Sequence, residues 1–216
     1  MRNTFLIANP KGGSGKSTLA TNLAGWFARQ GHATMLGDID RQQSSRQWLR
    51  MRSPALPRIA TWEIEADKPA RPPAESTHVV LDTPAGLHGK KLAQVLKVVE
   101  RVIVPLQPSI FDILATRDFL DALLEEKEIR KQHAFAVVVG MRVDARTRAA
   151  AELERFLADA GVPVLTFLRD TQNYVQAAAH GMTIFDLPAY RAAQDWEQWA
   201  PLTAWAETRA PMSTLD

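Results

Sequence analysis

The chain has 216 residues, 46% of them hydrophobic and 23% charged, enough for one sizeable domain with its own core and ordinary for a soluble globular protein. It contains no cysteine, which excludes disulfides, thiolate metal sites and cysteine nucleophiles. The formal charge of +2 and a pI near 9.0 allow a local basic patch but are weak evidence for nucleic acid, and no apolar run reaches the length of a membrane span.

Strand-like and helix-like segments alternate along the chain. Asn3–Ala8 reads as a buried strand, because Phe5, Leu6, Ile7 and Ala8 form an apolar run. Lys16–Arg29 reads as a helix, since Leu19, Ala20, Leu23, Ala24, Phe27 and Ala28 recur at helical spacing, and Gly31 ends it. Ala33–Gly37 is a second strand, closing on Asp38-Ile39-Asp40, and Ser44–Met51 a short helix. Residues 53–77 are rich in proline and read as loop, with a short strand at Ile59–Ile64. His78–Asp82 is a third strand, Lys90–Val98 a helix, and Arg101–Val104 a fourth strand stopped by Pro105. Phe111–Ile129 reads as one long helix, Phe135–Val139 as a fifth strand, Arg146–Ala160 as a helix and Val162–Phe167 as a sixth strand. Thr171–Ala179 and Ala189–Trp199 close the chain as helices, with Pro201 interrupting the last.

Strands separated by helices imply an α/β fold: a mostly parallel central sheet with helices on both faces. There is no internal repeat, and residues 1–216 read as a single domain. In such a sheet ligands sit at the carboxyl ends of the strands. The first strand begins almost at Met1, leaving no room for a signal peptide, so the expected compartment is the cytoplasm.

Pro10-Lys11-Gly12-Gly13-Ser14-Gly15-Lys16-Ser17-Thr18 joins the first strand to the first helix. Strand, glycine loop, helix is the context that a phosphate-binding loop requires. Glycines let backbone N–H groups approach an anion, and the positive end of the helix adds to the attraction. Lys16 reaches phosphates in such a loop and the Ser17 hydroxyl ligates Mg²⁺. The usual pattern places glycine where this chain has Pro10. The variant K-G-G-x-G-K-S-T fits fully and adds a second lysine, Lys11. A plain glycine turn with two solvated lysines is the alternative.

Asp38 and Asp40 end the second strand on one side of it. Alone, two such acids are best read as caps of the next helix; beside the glycine loop a catalytic reading gains ground. Asp82 ends a buried strand, where an acid is costly without a cation or donors, so Mg²⁺ is the economical partner and a helix cap the alternative.

The loop and these acids resemble the ParA/MinD family of ATPases, P-loop NTPases with a deviant Walker A motif. The likeness covers nearly the whole chain and is greatest to the short ParA-type kind without an added N-terminal helix-turn-helix domain. The resemblance implies ATP and Mg²⁺ as cofactors, with Lys11, Gly12, Gly13, Ser14, Gly15, Lys16, Ser17 and Thr18 binding nucleotide. It implies that Asp40 orients the attacking water, that Ser17, Asp38 and Asp82 form the metal shell, and that Thr83-Pro84 begins a γ-phosphate switch. Lys11 in this family crosses a two-fold interface to the neighbour's ATP, so the implied assembly is an ATP-dependent homodimer. Arg41 stands where the family's second acidic motif has proline. Relatives often read adenine with an asparagine after the fifth strand; Met141 aligns there, so adenine is expected to be held by apolar or backbone contact, bordered by Arg169 and Asp170. The cysteine-held cluster of the related nitrogenase iron protein is excluded.

The implied function is partition or positioning of plasmid, chromosome or protein cargo, near the nucleoid, with hydrolysis stimulated by a ParB-like or adaptor partner. A nonspecific DNA surface is expected at Arg142, Arg146, Arg148 and Arg191, with Arg41, Arg46, Arg50, Arg52 and Arg58 as a further basic cluster. A solvated, salt-bridged face is the competing reading of each cluster. A MinD-like membrane ATPase and a P-loop biosynthetic ligase of the dethiobiotin-synthetase kind are the rival functions. Against the membrane, residues 187–216 hold four acids and only Arg191 and Arg209, and Trp196, Trp199 and Trp205 are spaced to pack on a core. The five histidines, at 32, 78, 88, 133 and 180, show no metal-ligand spacing.

Overall fold

The computed structural model describes residues 2–64, 71–144, 146–158 and 160–208. Six strands form one sheet in the order β2-β3-β1-β4-β5-β6, all parallel: β1 Asn3–Ile7, β2 Thr34–Asp38, β3 His78–Asp82, β4 Arg101–Leu106, β5 Phe135–Met141 and β6 Val164–Leu168. Around them run α1 Lys16–Arg29, α2 Ser44–Met51, α3 Gly89–Leu96, α4 Ile110–Glu125, α5 Lys127–Arg130, α6 Arg148–Ala158, α7 Gln172–Ala178 and α8 Ala189–Glu207, with a 3-10 turn at Ile184–Asp186.

Strand alternation divides the core in two. Phe5, Ile7, Leu36, Val80, Ile103 and Val139 face α1 and α8, packing on Leu19, Leu23, Phe27, Trp199, Leu202 and Trp205. Leu6, Val79, Leu81, Val102, Val104 and Val138 face the other way, against Leu92, Leu96, Leu120, Leu123 and Leu153 from α3, α4 and α6. Each such side chain contributes roughly 1.5–3 kcal/mol by leaving water, which is why a parallel sheet reads as unbroken apolar runs.

Four expectations are revised. Pro105 does not stop β4, which continues to Leu106. Ile103 directs its carbonyl at β1, accepting from the Ala8 N–H at 3.1 Å. Two residues on, Pro105 presents its backbone to the same side, where β1 has already ended, and its missing N–H breaks no ladder bond. The Pro105 carbonyl instead accepts from Asn9 Nδ2 at 2.7 Å. The long helix is two: Glu126 adopts an extended ψ of 137° between α4 and α5, and the short α5 seats Ile129 against the core near α3 and α4. Pro201 lies inside α8, which continues to Glu207 because Trp199, Leu202 and Trp205 are buried on both sides of it. The strand at Ile59–Ile64 shrinks to a single bridge from Ala60 to Met35.

Candidate nucleotide and metal site

The sheet order sets the site. β2, β3 and β1 are neighbours, so Asp38 and Asp82 stand side by side in register, and Asp82 pairs on its other flank with Ile7, just before the glycine loop. The loop, the Asp38-Ile39-Asp40 segment and Asp82 therefore share the carboxyl rim of the sheet. At β1 the chain turns to opposite sides for β3 and β4, the crevice where such sheets bind ligands.

Gly13 (φ +75°) and Gly15 (φ +101°) take left-handed conformations that bend the loop onto the start of α1. Gly15 caps α1 without any side-chain acceptor, so the first N–H groups of that 14-residue helix face the loop unpaired by a side chain. A Cβ placed on Gly12 or Gly13 would meet nothing within 4 Å, so the cradle is open outward. Lys16 is buried; its ammonium donates to the Lys11 carbonyl at 2.7 Å and lies 3.4 Å from Ser14 Oγ. Burial lowers its pKa, while Asp82 and Asp40 oppose that by attraction.

Asp82 is the most constrained acid here. It is 1% exposed, and its Oδ1 accepts no hydrogen bond among the described residues. Burial pushes its pKa up to about 6; the Ser17 hydroxyl counters this, while the Asp38 charge adds to it. An unpaired buried carboxylate oxygen beside a hydroxyl and a second carboxylate is an all-oxygen donor set suited to Mg²⁺, so the residues fit that ion.

Asp38 caps α2. Its Oδ2 accepts from Ser45 Oγ at 2.9 Å and the Arg46 N–H at 3.1 Å, and its Oδ1 from the Asp40 N–H at 3.0 Å. Asp40 is half-buried and accepts from the Gln42 N–H at 3.0 Å. The Lys11 side chain is half-buried and joins no hydrogen bond or ion pair among the described residues; only its N–H is engaged, donating to Asn9 Oδ1 at 2.8 Å. Thr83 Oγ1 donates to the Ile7 carbonyl at 2.8 Å and the Gly86 N–H to the Pro10 carbonyl at 3.1 Å, so the segment after β3 is laced to the loop.

Two positioning residues escaped sequence reasoning. Asn9 is buried and ties the loop's entry to Pro105 and to Thr116 of α4, at 2.7 and 3.0 Å. Its signal was a lone amide at the end of an apolar strand. Gln107 donates from Nε2 to the Gly13 carbonyl at 2.5 Å, coupling the turn after β4 to the loop.

Met141 ends β5 and is buried, its Cε lying only 2.8 Å from where a Gly15 Cβ would stand. It roofs the loop with an apolar contact. Arg169 is held against α8: its Nε donates to the buried Asp195 at 2.6 Å, its Nη1 to Gln194 and its N–H to Gln198 Oε1 at 3.0 Å, joining β6 to α8. Asp170 is exposed, 4.0 Å from the Arg142 guanidinium.

The basic residues do not form one patch. Arg142, Arg146 and Arg148 are exposed beyond β5, with Arg146 paired to Asp144, whereas the cluster from Arg41 to Arg58 follows β2, the strand at the far edge of the sheet. Arg52 is withdrawn from that cluster: its side chain is 4% exposed and holds Asp186 at 2.9 Å, with further bonds to the Pro57 and Gly181 carbonyls. Arg191 is exposed on α8 and donates to Gln176 at 2.5 Å.

The pattern described as the CobQ/CobB/MinD/ParA nucleotide binding domain matches residues 5–184. The chain belongs to this family. Its sequence is 26% identical over 201 residues to maintenance of carboxysome distribution protein A of Halothiobacillus neapolitanus, covering 89% of this chain and 91% of that one. In fold it is similar to a putative plasmid partition protein of Borrelia burgdorferi bound to AMPPNP, with a TM-score of 0.71 and 16% identity over 94% of this chain and 99% of the other. It is similar as well to the septum site-determining protein MinD of Pyrococcus horikoshii complexed with Mg-ADP, with a TM-score of 0.71 and 15% identity over 97% and 100%. The glycine loop, Lys16, Ser17 and Asp82 all lie within the matched residues. No helix among the described residues is long and apolar enough to cross a membrane.

Proposed function

We propose that this chain is a ParA-type positioning ATPase, in which ATP binding closes two copies face to face and hydrolysis separates them. The carrying observation is Lys11, a half-buried lysine whose side chain has no partner among the described residues, at the mouth of a loop whose own phosphate lysine is already Lys16. A cation so placed is available to a second copy's nucleotide, where it would neutralise charge developing on the transferred phosphoryl oxygens.

The face beside it supports the reading. Ile110, Phe111 and Leu114 in the first turns of α4 are 60%, 74% and 51% exposed, directly after the turn whose Gln107 bonds the loop. Exposed apolar side chains next to a nucleotide cradle suit a surface covered only in one nucleotide state. Gly12 to Thr18 would hold the phosphates and Met141 would lie under the base. Ser17 and Asp82, with Asp38, would hold Mg²⁺, which when bound supplies positive charge to the phosphates. Asp40 would orient the water that attacks the γ-phosphorus as the bond to ADP breaks.

The cargo class follows the relatives: one is named for carboxysome distribution, another for plasmid partition. The dimer would hold nonspecific DNA through Arg142, Arg146, Arg148 and Arg191, with a ParB-like or adaptor protein stimulating turnover at the nucleoid. Binding through phosphates alone should weaken steeply with salt. Against the membrane reading, Trp199 and Trp205 of α8 are buried in the core and Trp196 is half-buried against it.

Lys11→Ala tests the proposal. The variant should bind ATP as a monomer but lose at least tenfold in turnover, and in sedimentation should not form the ATP-dependent dimer expected of the Asp40→Ala protein. Turnover at the unsubstituted rate would remove the trans-acting role.

A further inference from the structure

At the end of the sheet opposite the glycine loop, three side chains distant in sequence converge. His32 sits in the turn between α1 and β2, His78 opens β3, and Glu207 ends α8. One ligand atom from each lies within 4.8 Å of the other two. We propose that His32, His78 and Glu207 form a binding site for a divalent transition ion of the zinc type, distinct from the magnesium site at the nucleotide.

The three ligand atoms, within 4.8 Å of one another, would reach the spacing of a bound ion by turning two of the side chains. Ligand atoms about 2.0–2.1 Å from a tetrahedral zinc stand roughly 3.3 Å from one another. His32 Nε2 and Glu207 Oε1 are already 2.9 Å apart, and the two imidazoles stack with centroids 3.8 Å apart at 30°. His78 is the fixed member: it is buried, packed on the Phe27 ring at 4.5 Å, with Nε2 3.3 Å from Asn3 Nδ2 and Nδ1 3.1 Å from Thr77 Oγ1. His32 and Glu207 have side chains 30% and 40% exposed, so they can turn the remaining distance and leave a fourth position open to water.

The donor set decides the class of ion. Two imidazoles and one carboxylate suit zinc, cobalt or nickel, whereas Mg²⁺ prefers oxygen alone. Metal-bound histidine keeps one ring nitrogen for the ion and donates the other N–H to an outer partner; His78 Nδ1 has such a partner in Thr77 Oγ1, and Nε2 would exchange its contact with Asn3 Nδ2 for the ion. The ion would join the α1–β2 turn and β3 to the end of α8. Arg101 already fastens that helix end, donating to the Thr208 carbonyl and stacking on Trp205 at 5.4 Å.

The test uses untagged full-length protein, stripped of metal and titrated with zinc in a calorimeter at pH 7.5 without nucleotide. One zinc per chain at micromolar affinity or tighter is expected, with a rise in Tm. His32→Ala and Glu207→Gln, both at partly exposed positions, should each weaken binding at least tenfold and lose the rise in Tm. His180→Ala, at an exposed histidine outside the cluster, should leave zinc binding unchanged. Absence of zinc binding to the unsubstituted protein, or equal binding by His32→Ala, which retains the surface histidines 88, 133 and 180, would overturn the site.

Discussion

Asp82 is a carboxylate where water does not reach, and one of its oxygens has no donor among the described residues. Its folded pKa of about 6 lies above the ordinary 3.8, so the folded state holds the proton more tightly than the unfolded chain does. The stability this contributes is full below pH 4 and is lost as pH rises through about 6. Without nucleotide or magnesium at pH 7.5, Asp82→Asn should therefore unfold at higher urea, by roughly 1–3 kcal/mol, and show a flatter stability profile between pH 4 and 7. Its gain from added magnesium-ATP should be smaller. An unchanged pH profile would mean that the acid is satisfied in the free protein. Asp82 was legible in the sequence as a charge closing an apolar strand; the missing donor was not, because a donor's absence is a property of every neighbouring element at once.

Helix α2 shows the same division one scale up. Its limits, Ser44–Met51, are those read from the sequence. Its capping by an acid at the end of β2 was one reading of the sequence; its remote attachment was not legible. Asp38 caps its first turn from the preceding strand, and Arg52 at its end reaches Asp186, 134 residues away, in a pair 4% and 1% exposed. Composition placed Arg52 among surface arginines; the fold closes over it because Gly181 at φ +64° lets the turn after α7 approach so near that a Cβ there would stand 2.4 Å from the Arg52 nitrogen. Breaking a buried pair by removing one partner leaves the other charge stranded. Arg52→Ala should cost about 3–5 kcal/mol in urea unfolding. A loss below about 1 kcal/mol would show that Asp186 is satisfied by the Thr183 N–H and hydroxyl alone, each 2.8 Å away.

For the whole molecule, the proposed cycle depends on one face. The carboxyl rim carries the glycine loop, the acids of β2 and β3, and the exposed start of α4. Phe111→Asp, at a position 74% exposed, should leave the fold and monomer nucleotide binding intact while abolishing ATP-dependent dimerisation in the Asp40→Ala background, measured by sedimentation. A dimer of unchanged affinity would move the interface elsewhere. Loss of salt-sensitive DNA retention in the same variant would tie capture to dimer formation, since two copies double the phosphate contacts.

By itself the sequence determined the alternation of strands and helices, the phosphate loop, and the acids at strand ends, because each is written in residues adjacent along the chain or at helical or strand spacing. Tertiary structure decided what depends on distant partners: Pro105 staying within β4, Pro201 within α8, Arg52 inside a buried pair, and Arg169 bound to Asp195. It also brought His32, His78 and Glu207 together, where no spacing announced them. The physical reason is that local pattern reports backbone propensity and burial. Whether a polar group is paired, exposed or gathered with others is set only when the sheet order brings remote segments into contact.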